Sequence, residues 1–568
     1  MRYFAFACDY DGTIADAGIV SPGTLTALQR LKDSGRKAIL VTGRQLDDLL
    51  RVFPEHAIFD RVVADNGAVL YTPATRETKA LGEAPPAAFL DALRLRGVPI
   101  TAGQVIVATV EPYDVAVLDA IKEQGLELQV VYNKGSVMIL PSGLNKSTGL
   151  AAALEQLCLS EHNTVAIGDG ENDNALLAFC EIGVAVSDAI PALREHADLT
   201  TTLPASRGVE ELIDRILQDD LAGVEPRRTD RQIVLGKCGG GEEDFAIKSY
   251  GPSLLIAGPS GSGKTTVVRA LIERLVKSDY QVCLVDPEGD YDQLEKFVAL
   301  GSPNRAPELS EIFQILQSSK SNVSVNLLGL SLADRPVYFG SLFPKLQELR
   351  THTGRPHWII IDEAHHLIPK SWDRAAGTLP EKLPETVLVT VDVNSVLPAA
   401  LKSMTGIIAV GPSPGVTVRQ FSEVIGAAAP ISERRPHKKG EVVFWAGRAS
   451  PLVRVRIAPP SDATRRHKRK YAGGELPPDR SFYFTGPEGK LKLRAQNLNT
   501  FIQLAEGVDD ETWLYHLRQH DYSDWMRENI KDEELAAEVA AIEIYSSSGQ
   551  KSRAEVIEAI NKRYTAPE

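Results

Sequence analysis

The chain has 568 residues, 43% hydrophobic and 24% charged, a globular composition that excludes collagen-like, disordered and coiled-coil classes as descriptions of the whole. At about 150 residues per domain, this length predicts about three to four folded parts. Lys and Arg number 62 and Asp and Glu 75, a formal net charge of −13, which argues against a general polyanion binder while leaving room for a local basic groove.

Five cysteines (Cys8, Cys158, Cys180, Cys238 and Cys283) stand singly, so neither a disulfide framework nor a zinc site is expected. The apolar run at residues 3–8 is too short for a signal-peptide core, and no stretch reaches the ~18 apolar residues that a membrane span needs. A cytoplasmic location with no membrane contact is the expectation.

Residues 1–215 alternate short apolar runs (38–41, 62–64, 136–140, 164–167) with helical stretches, the rhythm of an α/β domain with a mostly parallel sheet. Residues 216–231, polar with Pro226 and mixed charge, read as a linker. A second α/β rhythm occupies 232–460, with apolar runs at 254–257, 282–285, 358–361, 387–391 and 407–410. The basic cluster 465–470 then opens a third part, 461–568, with helical segments at 499–506, 509–520, 532–545 and 552–564.

In the first part, the run at residues 3–8 ends in Asp9-Tyr10-Asp11-Gly12-Thr13. That places two carboxylates at the carboxyl edge of a sheet, where open α/β folds bind ligands, and Gly12 permits the sharp turn. Thr42 in Val41-Thr42-Gly43-Arg44 supplies a hydroxyl and neighbouring N–H groups; Lys146 supplies a point charge. Asp169 and Asp173, in Gly168-Asp169-Gly170-Glu171-Asn172-Asp173, suit a hard cation. These four elements in this order resemble the haloacid dehalogenase-like phosphohydrolases, in their Cof-type and sugar-phosphatase branch. The resemblance implies that Asp9 attacks phosphorus to form an aspartyl-phosphate and that Asp11 acts as acid and then base. It also implies that Thr42 and Lys146 hold the phosphoryl oxygens and that Mg²⁺ sits on Asp9, the Asp11 carbonyl and Asp169, with Asp173 in support. An acid–base residue at position 11 argues for a hydrolase rather than an ion-pump or transferase variant. An α/β cap over the site is expected at about 70–140, for a small phosphorylated substrate of unspecified identity. For Arg44, substrate contact and an ordinary salt bridge are both open.

The second part carries Gly258-Pro259-Ser260-Gly261-Ser262-Gly263-Lys264-Thr265-Thr266 after an apolar run and before a helical pattern. This is a P-loop: backbone N–H groups of Gly258, Ser260, Gly261, Ser262 and Gly263 turn toward phosphate oxygens, with Thr266 on the first helical turn. Lys264 reaches the outer phosphates of ATP and Thr265 ligates Mg²⁺. The run 358–361 ends in Asp362-Glu363; Asp362 is read as holding the Mg²⁺ shell and Glu363 as orienting the attacking water. The string Asp286-Pro287-Glu288-Gly289-Asp290-Tyr291, with the late Gly440-Glu441-Val442, resembles the HerA/FtsK superfamily of ring-forming ATPases. Val391 stands where translocases of that group commonly carry Gln, so ATP binding is expected while coupling to a power stroke is not. A ring would draw an arginine from a neighbouring subunit, with Arg434 or Arg435 as candidates, each read more readily as a solvated charge.

The fold class expected is therefore a haloacid dehalogenase-like Rossmannoid domain with an α/β cap, then a RecA-like P-loop domain and a small, mostly helical C-terminal domain. The function expected is a Mg²⁺-dependent phosphomonoester hydrolase joined to an ATP-hydrolysing module that regulates or assembles it. A homo-oligomer, with a hexameric ring as one form, follows from the ATPase resemblance. The alternative is a HerA/FtsK-like nucleic-acid motor with the first domain as an end-processing effector; nucleic acid is not favoured, because the one dense basic run reads more readily as a hinge. A third reading makes the P-loop part an ATP sensor.

Overall fold

The structure, a computed structural model, describes residues 1–133, 135–227, 231–239, 241–291, 294–372, 383–428, 440–447, 450–460, 471, 476, 478, 480–530, 532–545 and 548–564. Arg434, Arg435 and the basic run 465–470 lie outside the described residues. Met1–Pro259 and Leu271–Arg456 form one compact unit, and Ser260–Ala270 with Ile457–Glu568 form another. Among the described residues no helix is long and apolar enough to cross a membrane.

The first unit contains two large sheets. The eight-stranded one runs Leu199–Thr200, Ile182–Ala185, Thr164–Gly168, Ala5–Cys8, Lys37–Val41, Arg61–Ala64, Val69–Thr72, Glu77–Ala80. Its first six strands are parallel and the last two antiparallel. Ala5–Cys8 is buried at every position, because helices cover both faces of a central parallel strand. Gly12 takes φ +82° just beyond it, a left-handed turn that a Cβ would strain.

A separate antiparallel sheet, Leu128–Asn133, Ser136–Pro141, Val107–Val110 and Thr101–Ala102, packs with helices Ala87–Leu95 and Asp114–Gln124 around Phe89, Leu93, Val117 and Ile139. This is the α/β cap; the interval expected for it also contains the strand Glu77–Ala80 of the main sheet. Asn145 caps the helix Lys146–Gln156 by accepting from the Ser147 and Thr148 N–H groups, and its own N–H donates to Thr148 Oγ1 at 3.0 Å. That box holds Lys146 on the first turn.

The second sheet has eleven strands: Asp244–Ile247, Ile233–Cys238, Val453–Ile457, Glu441–Trp445, Gly406–Ala409, Leu254–Ala257, Thr386–Thr390, Trp358–Ile361, Val282–Asp286, Asn322–Asn326, Phe297–Leu300. The last seven are parallel. Thr386–Thr390 stands between the strand that leads into the P-loop and the strand that ends at Asp362, the RecA-like order.

The two sheets meet through their amino-terminal edges. His162 places Nδ1 2.9 Å from Glu181 Oε2 and Nε2 2.8 Å from the Ser278 carbonyl, and its ring stacks on Tyr280 with centroids 3.7 Å apart. His357 Nε2 lies 3.1 Å from Asn163 Oδ1, and Arg355 donates to the Cys158 carbonyl at 2.7 Å. Residues 161–163 and Glu181 precede strands of the first sheet; Tyr280 and His357 precede strands of the second. Both sets of strands therefore run away from this seam, and at about 3.3 Å per residue their carboxyl edges lie roughly 30 Å apart. Arg231, at the end of the stretch read as a linker, donates to the Phe179 carbonyl at 2.7 Å and the Cys180 carbonyl at 3.1 Å, so it is anchored in the seam.

Burial pushes the Glu181 carboxyl up, but the hydrogen bond and charge of His162, with Arg2 and Arg231, bring it down to about 2 from 4.5. A depressed carboxyl stabilises the fold above its unfolded value and loses that contribution as pH falls toward the folded one. Glu181→Gln should therefore cost about 3 kcal/mol at pH 7. In urea melts the gap from wild type should narrow as pH drops below 4.5; a gap constant with pH would show that the charge does not hold the seam.

The second unit holds the hairpin Phe482–Phe484/Leu493–Ala495 and helices Leu498–Gly507, Asp510–Gln519, Asp521–Glu528, Glu533–Tyr545 and Gly549–Tyr564. Phe482, Phe501, Trp513, Tyr522 and Trp525 form its aromatic core. His516 is buried there, accepting from the Thr485 N–H at 3.0 Å and bonded to Asp521 at 2.7 Å, a core histidine with its ring nitrogens engaged.

Candidate active site

Asp9, Thr42 and Asp169 each follow the last residue or two of an adjacent parallel strand, so the first sheet delivers them to one edge. Lys146 enters from its capped helix. Its side chain is 1% exposed, and its Nζ donates to Asp9 Oδ1 and to Asp173 Oδ1, each at 2.6 Å. Asp173 Oδ2 accepts from the Asp169 and Gly170 N–H groups at 3.0 and 2.9 Å, which folds the acidic loop onto the site. Thr42 is buried, its hydroxyl accepting from the Arg44 N–H at 3.1 Å.

Among the described residues, Asp9, Asp169 and Asp173 form the group of acids able to hold a metal ion, their ligand atoms all within 4.8 Å of one another. Burial pushes the Asp9 carboxyl up to about 7; Lys146 opposes this, and Asp173 and Asp169 add to it. Burial also works against the Lys146 ammonium, but Asp173 and Asp9 hold its pKa above the ordinary value. Three crowded carboxylates facing one ammonium leave excess negative charge on hard oxygen donors. That fits a divalent cation such as Mg²⁺.

Asp11 lies at the same edge, with both carboxylate oxygens bonded to one guanidinium: Arg44 Nε to Oδ2 and Nη2 to Oδ1, each 2.7 Å. Arg44 also grips Asp48 at 2.7 Å and lies 5.3 Å from the Tyr10 ring. Asp9, Asp11 and Arg44 floor a cleft of about 680 Å³ whose opposite wall is the cap, through Thr101, Asn133 and Met138. Sequence reasoning passed over two residues here. The Thr13 hydroxyl lies 3.3 Å from Asp169 Oδ1, and buried Asp65 accepts from the Leu46 N–H at 3.1 Å and the Val105 N–H at 3.4 Å, tying core to cap. Thr13 closes the Asp9-to-Thr13 motif; Asp65 has no spacing to mark it.

On the second sheet, Asp362 and Asp286 emerge from neighbouring parallel strands, and the Asp362 N–H donates to the Val285 carbonyl at 3.0 Å. Burial pushes Asp362 up to about 8, with Glu363 and Asp286 adding to the shift. Asp286 accepts from the N–H groups of Glu288 and Tyr291 at 3.2 and 2.8 Å, which closes the Asp286-to-Tyr291 loop on itself. Glu363 takes φ +41°, ψ +50°, a left-handed conformation costly for a non-glycine residue. Thr390 ends the intervening strand with its hydroxyl 3.4 Å from His365 Nδ1, so a polar group stands one residue before Val391.

The P-loop residues Gly258, Ser260, Gly261, Ser262 and Gly263 form the turn after Leu254–Ala257, with φ +75° at Gly261 and +102° at Gly263. Lys264, Thr265 and Thr266 open the helix Lys264–Lys277, and the buried Ser262 hydroxyl has no hydrogen-bond partner among the described residues.

Two known families match parts of the chain. A family described as haloacid dehalogenase-like hydrolase matches residues 6–94 and 106–213, and an AAA domain matches 247–392. A phosphoglycolate phosphatase of Halorubrum lacusprofundi is 30% identical over 206 residues, which is 34% of this chain and 88% of that protein. Another, from Methanothermobacter thermautotrophicus, is 29% identical over 224 residues, 38% of this chain and 98% of that protein. A solved haloacid dehalogenase-like hydrolase from Bacteroides thetaiotaomicron is 20% identical, with a TM-score of 0.35, and covers 38% of this chain and 100% of its own. Through its first part, the chain belongs to the haloacid dehalogenase-like hydrolases. It is a phosphatase-type hydrolase that also carries an AAA-type P-loop domain.

Proposed function

We propose that the chain is a Mg²⁺-dependent phosphomonoesterase acting through an aspartyl-phosphate, with an ATPase module that regulates or assembles it. The observation that carries this is the pairing of Lys146 with Asp9 at 2.6 Å under a capped cleft of about 680 Å³. The cleft size supports a small substrate, and phosphoglycolate, the substrate in the relatives' names, is the first candidate.

An Asp9 oxygen attacks phosphorus and the P–O bond to the alcohol breaks; Asp11, which takes up a proton from solvent once Arg44 releases one of its oxygens, gives that proton to the departing oxygen. Asp11 then takes a proton from water as that water attacks the phosphorylated Asp9, releasing phosphate and restoring the carboxylate. Lys146 and Thr42 orient the phosphoryl oxygens, and Arg44 positions Asp11. Asp9, the Asp11 carbonyl and Asp169, with Asp173 in support, would hold Mg²⁺, which when bound offsets the charge of the phosphoryl group.

In the second part, the roles proposed are phosphate binding by Gly258, residues 260–263 and Lys264, with Thr266 on the first helical turn. Thr265 and Asp362 are assigned to the Mg²⁺ shell and Glu363 to the attacking water. The Asp286-to-Tyr291 loop favours a HerA/FtsK-like member, and with it a homo-oligomer and the nucleic-acid motor as second reading. The domain limits proposed are 1–215, 232–460 and 461–568. Five free cysteines suit a reducing cytoplasm.

The test is phosphate release from a panel of small phosphomonoesters, phosphoglycolate included, with Mg²⁺ and with chelator. Turnover of at least one, abolished by the chelator, is expected; release from none overturns the reading.

A further inference from the structure

Arg335 opens the helix Arg335–Thr353 at the carboxyl edge of the second sheet, after a loop whose Leu327 N–H donates to the Asp286 carbonyl at 3.0 Å. The residue is 8% exposed. Its Nε is buried with no hydrogen-bond partner, and among the described residues the guanidinium makes no ion pair. Burial pushes its pKa down, while Glu288 and Asp286 act in the other direction. His366, three residues past Glu363, feels the same guanidinium: burial lowers its pKa first, then Arg335.

A guanidinium whose Nε is buried without a partner, and which has no paired anion, carries an unrelieved desolvation cost. Glu288 and Asp286 oppose this cost through their charge, but among the described residues neither forms an ion pair with the guanidinium; Asp286 accepts from the backbone N–H groups of Glu288 and Tyr291. The planar fork of an arginine matches the oxygens of a phosphoryl group, and an open α/β sheet binds its ligand at the edge where Asp362 and Glu363 emerge. We propose that Arg335 is a binding residue for the terminal phosphate of ATP, supplied by the same chain that supplies Asp362 and Glu363. This rests on the ATPase reading above, and it gives the module a cation that needs no neighbouring subunit.

The experiment compares ADP with a non-hydrolysable imido analogue of ATP, both with Mg²⁺, on the full chain by calorimetry. Wild type should prefer the analogue. Arg335→Met keeps much of the side chain's length without charge, and should hold ADP affinity while cutting the preference for the analogue at least tenfold. Because the guanidinium is unpaired before nucleotide binds, that variant should melt no lower than wild type without nucleotide, whereas an arginine serving only the fold would lose stability. Arg335→Lys, which keeps the charge but not the fork, gives the same comparison should the Met variant not fold, and is expected to recover only part of the preference. A variant that keeps the wild-type ratio of affinities overturns the role of Arg335 and leaves the ATPase reading standing. A wild type that binds neither nucleotide removes both.

Discussion

Asp9→Asn should abolish phosphate release, by at least about 10⁴-fold, or roughly 5.5 kcal/mol of barrier. An amide has the carboxylate's shape and can still accept from Lys146, but it cannot attack phosphorus and leave again as an ionised group. Asn also removes one charge from a crowded trio of buried acids, so the melting temperature should hold. The mechanism gives a second readout: rapid quenching with a labelled monoester should leave label on the wild-type protein and none on the variant. Activity retained in Asp9→Asn, or label still attached to it, would defeat the covalent route.

Asp9, Thr42, Lys146 and Asp169 were legible in the sequence because each closes an apolar run or opens a helix, and parallel strands gather such residues at one edge. The same logic made Lys264 and Asp362 legible. What escaped lies where polarity has no period. His162, Glu181, Tyr280 and His357 precede strands rather than follow them, and their meeting depends on two sheets abutting. The helix Asp521–Glu528 is absent from the expectation because His520 separates it from its predecessor at φ +61° with no glycine or proline to mark the break. Arg44 carries two open readings; its salt bridge is to the proposed acid itself, and it also lines the cleft where a substrate would lie.

Glu363→Gln should leave ATP binding intact and lower hydrolysis at least about 100-fold, roughly 2.7 kcal/mol. Glu363 is held at φ +41°, ψ +50°, where a non-glycine residue sits about 1–3 kcal/mol above its relaxed backbone. Such strain persists where the side chain is needed in one direction. Its neighbour Asp362 is pushed up to about 8 by burial and then by Glu363 and Asp286. In the proposed reading Asp362 serves the cation and Glu363, with His365 Nδ1 3.4 Å from its Oε2, serves the water. Gln preserves size and hydrogen bonding but cannot take the proton. Lys264→Ala supplies the contrast: there nucleotide affinity should fall first, since a point charge for the outer phosphates is lost. Steady-state ATPase rates beside equilibrium binding of the imido analogue separate the two variants. Turnover by Glu363→Gln at the wild-type rate would remove Glu363 from the water-handling role and pass it to His365 or Thr390.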